Sequence, residues 1–379
     1  ALGGGRAAEV GLEPAEGRAL VARRRLGLLV APAAFAAVLA WPLPMLRPEA
    51  HRLAAVAVAV IVLWLTEAVP MPVAALIGAA ACTILHVAPA REVFAPFADP
   101  LMFLFIGSFI LARALFLYRL DRRLAFSILA IRGISSHPLR ILIAFGAVTT
   151  FLSTWMANTA ATVMMYAIAL SILSYLLDPG RPGGPAIGSR YATGLLLMTT
   201  FGASVGGLAT PIGAAPNLIG LGFIRELVGV QVSFLKWCAF GVPATLILFL
   251  YLAAYLGLLC GTDARAIPEG AALLRAERGR LGPWTPGQRS TLLACGVTIT
   301  LWLVPGAVAL ALGEESGTYR WLSRTVPEPV AALIGAILLF LLPGDGERPA
   351  LTWDEAAQID WGVVLLFGGG VALGVLAFR

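Results

Sequence analysis

Apolar residues fall along this chain in blocks long enough to cross a bilayer, separated by short polar stretches. A spanning helix needs about 20 predominantly apolar residues. Blocks near that length predict helices at roughly 26–43, 53–68, 71–88, 100–117, 191–228, 233–260, 288–313, 326–343 and 361–378. Two places break the pattern. The 191–228 block is interrupted at "GGLATPIGAAPN", Gly206–Asn217, whose Pro211 and Pro216 rule out a continuous helix. Between the fourth and fifth blocks, 141–177 holds two apolar arms of about 13–15 residues around the polar stretch "STWMANT". Arms that short predict a re-entrant hairpin with its tip near Trp155–Thr159, or two short, tilted spans.

Charge orients the blocks. Arg23, Arg24 and Arg25 precede the first span and place the N-terminus in the cytoplasm. Counting forward puts 118–140 and 261–287, both rich in arginine, on the same side. That parity requires 141–177 to enter and leave on one face. Composition agrees: the chain is 59% hydrophobic and 13% charged, against about 25% charged in soluble proteins. The fold class is therefore an all-α polytopic membrane protein, and the lipid bilayer is its first partner. The net charge of +6 sits in loop arginines and is no nucleic-acid signal. Cys82, Cys238, Cys260 and Cys295 lie singly in apolar stretches and read as packing residues. His51, His86 and His137 form no metal spacing, and nothing calls for an organic cofactor.

The chain contains a duplication. "VPMPVAALIGA" at Val69–Ala79 returns 257 residues later as "VPEPVAALIGA" at Val326–Ala336. "DPLMFLFIG" at Asp99–Gly107 returns loosely, 261 residues on, as "DWGVVLLFG" at Asp360–Gly368. The first copy enters from outside and the second from inside, so the repeat is inverted, a recurring plan of secondary transporters. The domain reading follows: a cytoplasmic tail at 1–25, a first helix and outer loop at 26–52, a first repeat at 53–260 containing the hairpin 141–177 and the broken helix 191–228, a cytoplasmic linker at 261–287, and an incomplete second repeat at 288–379. At the same offset a second Asn-Thr pair falls near 419, beyond Arg379. The truncated second copy predicts either a fragment, in the alternative reading one that is transport-incompetent as it stands, or a molecule with half of a two-part site.

Non-helical backbone at membrane depth survives only where it is buried or lines a cavity. Unwound backbone frees carbonyls for a cation, and helix N-termini beside it offer N–H groups to an anion. Ser153 and Asn158 add side-chain oxygens suited to a hard cation such as sodium. Asn158 also has an amide donor, and Thr159 a hydroxyl, for a carboxylate. Asn217, closing the second break, joins them as a substrate-binding candidate. Small and polar residues also pack membrane helices together, so either stretch alone is ambiguous. Their pairing favours a binding site.

"WLTEAVPMPVAALIGA", "STWMANTAATVMM" and "GGLATPIGAAPNLI" together resemble signature stretches of the divalent anion/sodium symporter family, over residues 53–379. The resemblance implies a carrier of dicarboxylates, citrate or sulfate coupled to sodium, built as an elevator-type homodimer in the inner membrane. It implies a Ser-Asn-Thr triplet at each hairpin tip. Asn158 and Thr159 match that triplet, but its first position is Ala157. Ser153 matches a second side-chain ligand of sodium, and Gly213 the backbone ligand in the broken helix. The absent hydroxyl keeps open a sodium-independent dicarboxylate exchanger.

Other signals point to structure. "GASVG" at Gly202–Gly206 has the spacing of a nucleophile elbow without the strand, histidine and acid that make one, so it reads as close helix packing and no catalytic residue is assigned. An intramembrane enzyme is the rival of another class, disfavoured because no histidine, cysteine or acid cluster accompanies Asn158. Glu67 reads as an interfacial residue, and Asp99 and Asp360 as helix caps.

Overall fold

The computed structural model describes residues 14–135, 137–177, 187–260 and 268–378; the start of the expected 261–287 linker lies outside them. The described residues are helical almost throughout. The principal helices are α1 Pro14–Ala40, α2 Pro48–Thr66, α3 Met71–Ile84, α4 Pro100–Leu117, α5 Leu120–Leu129, α6 Pro138–Ser153, α7 Asn158–Leu176, α8 Ser189–Gly206, α9 Ala215–Phe223, α10 Phe234–Leu259, α11 Pro268–Arg280, α12 Pro286–Leu312, α13 Gly317–Thr325, α14 Glu328–Leu341 and α15 Trp361–Ala377. Among the described residues, four helical runs are long and apolar enough to cross a membrane: Pro48–Thr66, Ala90–Leu117, Phe234–Leu259 and Pro286–Leu312. A fifth arises if α13 and α14, bent by 53° at their junction, form one span.

Several bounds differ from those the sequence predicts. The first helix starts at Pro14, so Arg23–Arg25 lie within it rather than before it. Arginine is a good helix former, and only Gly17 interrupts the approach. The two copies of "PVAALIGA" form α3 and α14, each 14 residues rather than the 18 expected. That is about 21 Å, short of the roughly 30 Å hydrocarbon layer. α3 stops because His86 turns left-handed at φ 55°. α14 stops because Leu342, extended before Pro343, cannot continue it. The arms around "STWMANT" are longer than expected, at 16 and 19 residues. Pro138 pre-organises the first turn of one arm, and Asn158 belongs to the helix of the other.

The chain packs as two units, one of residues 1–102 with 360–379 and one of 103–359. These units cut across the two copies of the repeat. In the first, α15 from the second copy packs on α3 from the first: a Cβ at Gly369 would stand 2.5 Å from the Ala75 side chain. In the second, α4 from the first copy packs on α14 from the second: a Cβ at Gly107 would stand 2.7 Å from the Ala332 backbone. Ala332 is the repeat partner of Ala75, and Gly369 lies one residue beyond the partner of Gly107. The small residues duplicated in the sequence are thus spent on the same kind of helix crossing in each unit.

The corners before α3 and α14 are also alike. Trp64 donates its indole N–H to the Met71 carbonyl (3.0 Å), and Trp302 donates to the Glu328 carbonyl (3.0 Å). Asp99 and Asp360 accept from Leu101 and Val363 N–H and cap α4 and α15. Glu67 sits at φ 47° after α2 and pairs with Arg23 at 3.1 Å. The four cysteines are free thiols.

Candidate functional site

The two sequence breaks meet in the second unit. α6 ends at Ser153 and α7 begins at Asn158; α8 ends at Gly206 and α9 begins at Ala215. Small residues bring α6 and α8 together. A Cβ at Gly206 would lie 2.1 Å from the Thr150 carbonyl oxygen, and one at Gly202 would lie 3.4 Å from Thr150 Oγ1. Two threonines then join the breaks: Thr150 Oγ1 donates to the Gly202 carbonyl (3.0 Å), and Thr210 Oγ1 to the Thr154 carbonyl (2.6 Å).

Asn158 stands where they meet. With the amide turned so that each contact is a hydrogen bond, Nδ2 lies 2.8 Å from Ser153 Oγ, 3.2 Å from the Gly213 carbonyl and 3.2 Å from the Ala203 carbonyl. Ser153 is fully buried. Gly207 admits the amide, since a Cβ there would stand within 3 Å of all three of its end atoms. Ser153, Asn158 and Gly213 are therefore brought into one cluster. Turned the other way, the amide adds Oδ1 to those three oxygens. A set of neutral oxygens is the chemistry of a hard-cation site, so these residues fit an ion such as sodium.

Asn217 is 7% exposed and spends its Nδ2 on the Gly207 and Thr210 carbonyls (2.7 and 2.9 Å). It holds the unwound segment in shape, and its Oδ1 is an acceptor that can meet a cation or a donor but not an anion. α10 braces the same segment: Trp237 Nε1 donates to the Leu208 carbonyl (3.0 Å) and Thr245 Oγ1 to that of Val205 (3.3 Å). Backbone that leaves helical bonding is thus paired group by group. Thr159 is exposed on the first turn of α7. Ala157 and Ala214 are the N-caps of α7 and α9, and neither supplies a side-chain cap. The first-turn N–H groups of α7 are left to a ligand, whereas in α9 Pro216 has no N–H and the Asn217 N–H donates to the Ala214 carbonyl (3.1 Å).

Sequence reasoning missed the Ala203 carbonyl, which any residue type would provide, and the threonine ties, which read as generic polar packing. It also missed Arg123. Its guanidinium donates to the Leu281, Gly282 and Pro283 carbonyls and lies 4.4 Å over the Trp284 ring. A cavity of about 360 Å³ runs from there to Trp155, Met156 and Ile212 beside the two breaks. Its walls are mainly apolar and Arg123 is committed to backbone, so it is a poor place for an anion.

Comparison with known proteins identifies the family. Residues 22–378 match the family model described as the sodium:sulfate symporter transmembrane region. The chain is 31% identical over 317 residues to the sodium-dependent dicarboxylate transporter SdcS of Staphylococcus saprophyticus, covering 82% of this chain and 59% of that protein. It is 28% identical over 356 residues to SdcS of Staphylococcus aureus, covering 92% of this chain and 66% of that one. The chain thus spans about three-fifths to two-thirds of the length of these relatives. A match over nearly the whole chain, together with its apolar helices, makes it a polytopic membrane protein that belongs to the sodium:sulfate symporter family, the divalent anion/sodium symporters.

Proposed function

We propose that the protein carries a divalent anion, a C4-dicarboxylate, citrate or sulfate, across the plasma membrane together with sodium. The observation that carries this reading is the convergence of Ser153 Oγ, the Asn158 amide and the Gly213 and Ala203 carbonyls at the junction of two helix breaks. Sodium takes the oxygens, with Asn158 Oδ1 turned toward it. The anion takes the Thr159 hydroxyl and the uncapped N–H groups at the start of α7, whose dipole favours negative charge, while Asn217 shapes the anion's side of the site through the unwound segment it holds. Bound sodium offsets the anion's charge, which couples the two. Relatives named as sodium-dependent dicarboxylate transporters support the same reading. So does the duplicated sequence, read as an inverted repeat whose hairpin 138–176 and broken helix 189–228 move as an elevator in a homodimer with its N-terminus in the cytoplasm. Catalytic chemistry has no part in it.

A second reading rests on Ala157. A serine there would add an oxygen beside Asn158, and without it the protein becomes an exchanger of dicarboxylates independent of sodium. Uptake of labelled succinate and sulfate into proteoliposomes holding the whole protein separates the two. The sodium reading expects uptake driven by an inward sodium gradient. It expects Ala157→Ser to lower the sodium concentration for half-maximal uptake several-fold, about 1 kcal/mol. Asn158→Ala should abolish uptake. Equal uptake in sodium and choline, requiring internal dicarboxylate, would establish the exchanger.

A further inference from the structure

We propose that the Asn158 amide occupies the cation's place when no cation is bound, tying the start of α7 to the unwound segment until sodium displaces it. The inference rests on the cation reading above and adds what the site does between cycles.

Three oxygens surround the end of the amide, at 2.8, 3.2 and 3.2 Å. Two of the three are carbonyls, which would repel a fourth oxygen but accept the two hydrogens of an N–H₂ group; the Ser153 hydroxyl can pair with either end of the amide. The amide thus faces Ser153, Gly213 and Ala203 with its nitrogen. These distances also leave no room for an ion between them. A cation bound to all of them must push the side chain back and turn it, so that Oδ1 replaces Nδ2. One residue then alternates between donor to the site and ligand of the ion. The consequence is mechanical. Asn158 is the first residue of α7, Ala203 lies in the last turn of α8, and Gly213 lies in the unwound segment. The cation-free tie therefore joins the start of α7 to α8 and the unwound segment, beside the Thr150 and Thr210 bonds and the Asn217, Trp237 and Thr245 bonds that brace the segment itself. It pairs the amide nitrogen and the Gly213 carbonyl in a poorly hydrated place, where leaving such groups unpaired is costly; the Ala203 carbonyl also accepts from the Gly207 N–H.

Hydrogen exchange of the peptide covering 203–217, measured on the whole protein in nanodiscs in sodium and in choline, tests this. Exchange in α12 serves as an internal measure of folding. The parent should protect the peptide in both media. Asn158→Ala should exchange about tenfold faster in choline, and sodium should not restore it. Asn158→Asp, which keeps an oxygen and lacks the donor, should be fast in choline and slow in sodium; it carries the test alone if the alanine variant misfolds. A parent peptide that is fast in choline and slow in sodium would overturn the stand-in while leaving the cation site intact. Unchanged protection in both variants in choline would overturn it as well. If sodium alters exchange in no form, Asn158→Asp included, the cation reading itself fails.

Discussion

A Cβ at Gly206 would stand 2.1 Å from the Thr150 carbonyl oxygen and 2.8 Å from two further backbone atoms. Backbone in a helix cannot step aside, so α6 and α8 would have to part. Gly206→Ala should cost about 1–3 kcal/mol or more, seen as a lower unfolding temperature in detergent. Gly202, one turn earlier, has nothing closer than 3.4 Å. Gly202→Ala should be neutral or stabilising by up to about 1 kcal/mol through helix propensity. Equal effects at the two positions would mean that the crossing is looser than its geometry. The sequence marked both glycines as packing residues. Their difference depends on which atom of the neighbouring helix each one meets.

The corners before α3 and α14 test how far two copies of one motif have diverged. Both tie a carbonyl between two prolines to a tryptophan indole. The residue between the prolines is Met71 in one copy and Glu328 in the other. Glu328 adds a bond, accepting from the Phe234 N–H at the start of α10. Trp302, only 3% exposed, also stacks on Phe234 with ring centroids 4.8 Å apart. Trp302→Phe removes a part-buried hydrogen bond together with volume from a buried stack, and should cost about 1–3 kcal/mol. The Trp64 bond lies at the surface, and Trp64→Phe should stay within about 0.5 kcal/mol. Thermal unfolding of the two variants side by side measures the gap. If the two are equally mild, the second corner is no stronger than the first. Element bounds were less legible than element existence. The 14-residue helices end on a left-handed His86 and an extended Leu342, local conformations that an apolar run does not announce.

For the whole molecule, the arginine pattern predicts that 118–140 and 261–287 lie on the cytoplasmic side. Single cysteines at Arg140 and Arg278, in a background without reactive thiols, should react with an impermeant reagent from the cytoplasmic face alone. Labelling of either in intact cells would break the parity on which the inverted repeat rests. The two compact units each combine helices from both copies of the repeat. A duplication read along the sequence suggests two halves side by side, whereas the tertiary contacts exchange one helix between them, α15 onto α3 and α4 onto α14.

Sequence alone determined that this chain is a helical membrane protein, where its helices break, and which side chains near the breaks carry oxygen. Those properties follow from local composition: apolar runs, glycine and proline at the interruptions, and arginine between blocks. It also held the signature stretches that mark the family. Tertiary structure decided which oxygens share a site. Ser153, Asn158 and Gly213 come together because Gly206 and Gly207 let two backbones and an amide approach. The Ala203 carbonyl joins them with no side-chain signal at all, because every residue has a carbonyl and only its position gives it a role. Asn217 carries the same amide as Asn158, yet the fold commits its donors to the Gly207 and Thr210 carbonyls. Side-chain type fixes what a residue can bind; what it does bind depends on which unpaired backbone groups the fold brings within reach.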